Sequence, residues 1–198
     1  AGLQSQLSKS AVNTVAASIL STSKYGDELR RAMAWLGEQP DTIFVGQSVA
    51  APGTAMFGTL ADVPMEKRVE LPVFEDCQLG MSTCMALNGF VPISVYPRWP
   101  FLLLATNQLV SHLDKLPIYS NGGYKPKVII RTAVPSRTPL DPQAQHLGNY
   151  SDPFRQMLKT VEVFELTGAH QIFDAYRKAY EREDGRSTLI VEHTSRYA

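Results

Sequence analysis

Strands and helices alternate along this chain with no hairpin signal between them. That predicts an α/β protein of three α/β/α layers: a mostly parallel sheet with helices on both faces. Residues 42–45, 91–96 and 127–132 are short apolar-rich runs, as found in strands covered on both sides. Residues 27–37 and 170–182 carry apolar side chains at helical spacing. The 198 residues are 44% hydrophobic and 19% charged, which suits one domain with a sizeable core.

In chain order, residues 1–25 are rich in Ser, Ala, Thr and Gln and are expected to be an N-terminal extension or linker. Residues 26–198 are expected to be the domain. The helix over 27–37 puts Leu29, Ala32, Met33 and Leu36 on one face and ends at Gly37 and Pro40. Strand 42–45 closes at Gly46. A long loop with Pro52, Gly53, Gly58 and Pro64 leads to strand 68–73. The small-residue segment 76–88 reads as a helix packed on both sides and stopped by Gly89. Strand 91–96 precedes a helix over 99–116, which Pro117 and the Asn121-Gly122-Gly123 turn end. After strand 127–132, residues 133–152 have no regular pattern. Ser151 or Asp152 is expected to cap a helix with Pro153 in its first turn. Strand 160–164, helix 170–182 and strand 187–192 complete the chain.

The net charge is zero, with no basic run and no Cys/His zinc spacing, so nucleic acid is not an expected partner. No apolar run approaches the roughly 20 residues of a membrane span. Cys77 and Cys84 share a helix face two turns apart, beyond the Cα limit of about 7 Å for a disulfide. They read as small buried hydrophobes of a reducing, cytoplasmic compartment.

In open parallel sheets ligands bind beyond the carboxyl ends of the strands. The candidate residues are therefore Gly46-Gln47, Glu75-Asp76, residues 97–101 and the 133–152 loop. The usual phosphate devices are missing: there is no GxGxxG, no GxxxxGK[ST] and no GxSxG elbow. Acids at a helix start also face the positive end of its dipole, a plain structural use worth about 0.3–1 kcal/mol.

Several pieces in one order carry a resemblance. They are VGQSV after the first strand, Pro72-Val73-Phe74-Glu75 before a small-residue helix, PFLLLATNQLVSH, YSNGG, AQH at 144–146 and STLIVEHTSRY. Together they resemble the pyrimidine-binding (Pyr) domain of thiamine-diphosphate enzymes, over residues 26–198. The nearest types are the β chain of 2-oxo-acid dehydrogenase E1 components and the central domain of transketolases. The resemblance implies thiamine diphosphate and Mg²⁺ as cofactors. It implies that Glu75 hydrogen-bonds N1′ of the aminopyrimidine, favouring the imino tautomer that generates the C2 ylid. It implies that Gln47, Trp99 and Phe101 line the cofactor, an aromatic stacking on the aminopyrimidine, and that His146 faces the substrate. Glu75 and His146 are thus the implied catalytic residues; His112, His170 and His193 receive no role. A carboxyl in an apolar seam is suited to sharing a proton, and the cofactor carries the hard chemistry.

The pattern departs in places. Gln47 stands where the family commonly has Glu. Leu-Gly-Asn-Tyr follows His146 where the family has Ser-Gln, and VPSRTPLDPQ replaces a glycine-rich run. The last two touch the substrate side. In the family a second domain, with a Gly-Asp-Gly motif, holds Mg²⁺ on the diphosphate, and that motif is not in this sequence. The implied partner is a diphosphate-binding domain or subunit, with the chain an excised or split module in a homodimer or heterotetramer acting on a 2-oxo acid or ketose. The alternative is a non-catalytic descendant kept for dimerisation.

Overall fold

The computed structural model describes residues 24–138 and 141–197, so nearly all of the expected extension lies outside the described residues. Six strands form one sheet: β1 (Thr42–Gly46), β2 (Arg68–Glu70), β3 (Val91–Tyr96), β4 (Ile129–Val134), β5 (Glu162–Glu165) and β6 (Thr188–His193). Their order is β2-β1-β3-β4-β6-β5 and every pairing is parallel. The expected α/β class holds, and the mostly parallel sheet is parallel throughout the described residues.

Parallel neighbours force each connection across a face of the sheet, and helices cover both faces. On one face α1 (Tyr25–Glu38), the short α2 (Ala55–Gly58) and α7 (Ala169–Glu181) pack over the strands. On the other lie α3 (Glu75–Leu87), α4 (Trp99–Leu104), a π-helical turn (Gln108–Leu113) and α6 (Ser151–Met157). A small helix, α5 (Leu116–Tyr119), follows the π turn. Adjacent residues such as Ile129 and Ile130, or Ile190 and Val191, bury into opposite cores. That is why these strands read as unbroken apolar runs.

Pro40 helps end α1 by pushing Gln39 out of helical geometry, to φ −73° and ψ 136°. The Thr42 hydroxyl then takes up the Leu36 carbonyl at 2.6 Å. Between the sheet and the α7 face lies a buried ion pair. Arg131 of β4 donates Nη2 to Glu192 Oε2 of β6 at 2.9 Å, and also to Thr59 Oγ1 at 2.8 Å. The hydroxyls of Tyr176 and Tyr197 donate to the same carboxylate. With Arg131 Nε also donating to Glu192 Oε1, four bonds to one buried carboxylate tie α7 and Tyr197 to the sheet, and the Thr59 contact adds the end of α2. Removing one partner of such a pair typically costs about 3–5 kcal/mol.

Four expectations need correction. The strand expected over 68–73 stops at Glu70, and residues 71–74 form a loop into α3. The single helix expected over 99–116 is broken at Ala105 and widens into the π turn, where the Asp114 N–H bonds the Leu109 carbonyl at 2.9 Å. This places the buried Asp114 Oδ1 to accept the N–H groups of Lys159, Thr160 and Val161 at 2.7–2.9 Å. Tyr150 rather than Ser151 or Asp152 is the cap position of α6. Finally, α3 packs on one side only. Glu75, Gln78, Leu79 and Ser82 point inward, while Cys77, Met81, Cys84 and Leu87 are exposed on the other side. The cysteines are therefore not buried: at 100° per residue they lie opposite the inward stripe, and no described element covers them.

Candidate functional site

The chain direction reverses between β1 and β3. From β1 the chain runs outward to β2; from β2 it crosses back to β3. The carboxyl ends of β1 and β3 therefore part around a crevice, the usual ligand position of open α/β sheets. Gln47 and Glu75 meet at it.

Gly46 ends β1 with φ +146°, and a Cβ there would fall 2.3 Å from the Val95 carbonyl oxygen. Glycine alone lets the chain turn this close to β3. The turn delivers Gln47, whose Nε2 donates to Glu75 Oε1 at 3.2 Å. Glu75 is the first residue of α3 and only 3% exposed. Phe74 before it supplies no side-chain cap, so the positive end of the helix faces this carboxyl. Asp76 beside it is exposed and accepts the Cys77 N–H at 2.8 Å, a local helix-start contact.

Two further contacts hold Glu75 in place. The Tyr96 hydroxyl donates to its backbone carbonyl at 3.2 Å. Burial pushes the Tyr96 phenol well above its usual range, which keeps that hydroxyl a donor. One turn along α3, Gln78 Nε2 donates to Ser94 Oγ (3.1 Å) and to the carbonyls of Val95 (3.0 Å) and Val45 (3.4 Å). The helix is thereby stitched to both strands that bound the crevice. Among the described residues, Gln47 is the sole hydrogen-bond partner of the Glu75 carboxyl, and no cation pairs with it. A buried carboxyl with so few partners is costly unless a ligand completes it.

A second carboxylate shapes the loop that carries Gln47. Glu70 ends β2, and its two oxygens accept the backbone N–H groups of Ser48, Val49, Ala50 and Ala51 at 2.7–3.1 Å. Ser48 adopts φ +55° within this wrap. Partial burial alone would raise the Glu70 pKa, but the four amide donors outweigh it and hold the carboxyl below its usual range.

The other candidates lie on the α4 side. Trp99 is wholly buried against Phe154 (ring centroids 5.0 Å apart) and Tyr150 (6.0 Å), the placement of a core residue. Phe101 is half-buried and stands against His146, with centroids 5.4 Å apart and planes at 56°. His146 sits on a 3₁₀ turn (Ala144–His146), and its buried Nδ1 has no partner among the described residues. Gln47 and Glu75 thus form one contact pair, Phe101 and His146 another. No group of three or more His, Cys, Asp or Glu is placed to hold a metal ion among the described residues. No described helix is long and apolar enough to cross a membrane.

No family model matches this chain, and no curated protein does. Among solved structures it resembles a split-gene transketolase in an inactive β4 tetramer. The TM-score is 0.63 at 17% identity, over 86% of this chain and 51% of that one. The fold is transketolase-like. The chain spans about half the length of that structure.

Sequence reasoning passed over Gln78 and Glu70. Gln78 was reachable, because it lies three residues after Glu75 and so shares its face of α3. Nothing local marks Glu70, since its four donors come from a loop about twenty residues earlier.

Proposed function

We propose that residues 26–198 are the pyrimidine-binding half of a thiamine-diphosphate-dependent enzyme acting on a 2-oxo acid or ketose. The observation that carries this reading is the Glu75 carboxyl. It is buried at the sheet's switch point, positioned by Tyr96 and Gln78, and bonded only by Gln47 among the described residues. The transketolase-like fold supports it. The residues present fit the cofactor's pyrimidine end: one poised carboxyl, one half-buried aromatic at Phe101, and one unpartnered imidazole nitrogen at His146.

Thiamine diphosphate, when bound, supplies an acidic thiazolium carbon that reacts with carbonyl substrates. In this reading Glu75 holds a proton at the aminopyrimidine ring, and Gln47 orients its carboxyl by donating to Oε1. Phe101 provides the apolar ring face, while Trp99 anchors the start of α4 in the core against Phe154. His146, turned by the 3₁₀ segment, presents a polar nitrogen to the substrate side. The diphosphate and Mg²⁺ fall to a partner domain or subunit. The contact surface we assign to assembly is the outer face of α3, where Met81, Leu87 and the following Phe90 are exposed. It borders a groove of about 440 Å³ between α3 and the π turn. An apolar patch of this kind marks an association site.

The test uses the full-length source protein or its complex with the diphosphate-binding partner. Glu75→Gln should lower turnover of 2-oxo acids or ketoses by about 10²–10⁴-fold, the usual worth of a proton-transferring side chain. Wild-type turnover that survives this substitution would defeat the assignment. A complex that binds cofactor yet turns over no substrate would instead favour the non-catalytic descendant, with the fold kept for assembly.

A further inference from the structure

Arg98 is alone among the arginines. Each of the other ten makes an ion pair or a hydrogen bond to a carboxylate or backbone carbonyl. Arg98 makes none among the described residues. It is half-buried and lines a cleft of about 490 Å³ together with Thr54, Ser136, Thr138 and Thr194. This volume falls in the range of small-molecule sites.

The cleft lies along the carboxyl edge of the sheet. Arg98 follows β3, Ser136 follows β4 and Thr194 follows β6. None of its described lining residues is acidic, and among them the guanidinium carries the only charge. Thr54 Oγ1 is buried and has no partner among the described residues. The Ser136 N–H donates to Thr194 Oγ1 at 2.8 Å, and Ser136 Oγ accepts the Thr138 N–H at 3.1 Å. Those bonds fix the segment after β4 against the end of β6. They place three hydroxyl residues on one wall.

We propose that this cleft is an oxyanion subsite, in which Arg98 and the hydroxyls of Thr54 and Ser136 take the carboxylate or phosphate end of a small molecule. The guanidinium fork matches both groups with paired N–H donors. A cleft carrying one sign of charge concentrates ions of the other. Assigning the anion to the substrate of the crevice at Glu75 rests on the function proposed above; the binding of the anion does not.

The test is an NMR titration of the full isotope-labelled chain with inorganic phosphate, with acetate, and with chloride at matched ionic strength. Phosphate or acetate should saturate shifts at the amides of Arg98, Ser136, Thr138 and Thr194, and chloride should not. The tighter of the two identifies the source as a phosphorylated or a carboxylate ligand. Arg98→Gln should weaken binding roughly tenfold or more, the worth of a charge-assisted hydrogen bond. Arg98→Lys should restore part of it, and the spectra report directly that each variant is folded. Unsaturable shifts, shifts shared by chloride, or unchanged affinity in Arg98→Gln would overturn the subsite. Anion binding that persists in a protein whose complete complex takes up no thiamine diphosphate would keep the subsite and remove the proposed function.

Discussion

Glu75 owes its position to three neighbouring side chains. Gln78 and Tyr96 fix its backbone, and Gln47 fixes its carboxyl. Gln47 in turn depends on Glu70, whose carboxylate gathers the four amides that follow it. Glu70→Gln has a single acceptor oxygen and no charge for those donors. It should therefore speed hydrogen exchange at residues 48–51 while the core amides of β3 and β4 stay protected; unchanged exchange at 48–51 would show that the loop holds itself. The individual candidates were legible unevenly in the sequence. Glu75 and Gln47 stand directly after strand-like runs, where the parallel-sheet rule looks for ligands. The Trp99–Phe101 pair could not be divided that way, because both are aromatic and two apart. Only packing tells that Trp99 lies under α6 residues while Phe101 meets His146. The buried Arg131–Glu192 pair was also invisible, since KVIIRT and STLIVE read as plain buried strands until the fold sets them side by side.

At the level of elements, the strands were the easiest to read, because a parallel sheet covered on both faces needs continuous apolar runs. The α3 helix misled for a related reason. Its small residues suit burial on both sides, but nothing described covers its outer face, so Cys77 and Cys84 are exposed. The segment after α4 misled because apolar spacing cannot register the demand of one buried carboxylate. Asp114 must reach the amides of Lys159, Thr160 and Val161, and the π turn is the local form that coexists with this contact. Burial alone would raise the Asp114 pKa; Lys115 and the three amides outweigh it and hold the carboxyl below its ordinary range. A carboxyl depressed in the folded state adds stability above its unfolded pKa of about 3.9 and loses it as pH falls through the folded value. Asp114→Asn should accordingly cost roughly 1–3 kcal/mol at neutral pH. In chemical denaturation, the gap between variant and wild type should narrow below about pH 4. An equal gap at pH 7 and pH 3 would mean that the charge of Asp114 contributes nothing.

On the scale of the whole molecule, one sheet edge gathers the crevice at Glu75, the Phe101–His146 pair and the cleft at Arg98. The apolar outer face of α3 lies apart from the two cores. In the assembly proposed here that face meets a partner. The thiols report on it directly: Cys77 and Cys84 should react readily with a thiol reagent in the isolated chain and slowly in the complete complex. Met81→Asp should restore fast labelling there and shift the complex to smaller species in size-exclusion chromatography. Equal labelling with and without the partner would place the contact elsewhere.

Glu75 and its neighbours are proposed to hold the pyrimidine end of thiamine diphosphate. The deciding measurement is a calorimetric titration of thiamine diphosphate with Mg²⁺ into the full-length protein or its reconstituted partner complex, for wild type and for Phe101→Ala. Saturable binding to the wild type is expected, weakened roughly tenfold by loss of the Phe101 ring face. No binding in an intact, folded complex would contradict it and leave the transketolase-like fold serving assembly alone.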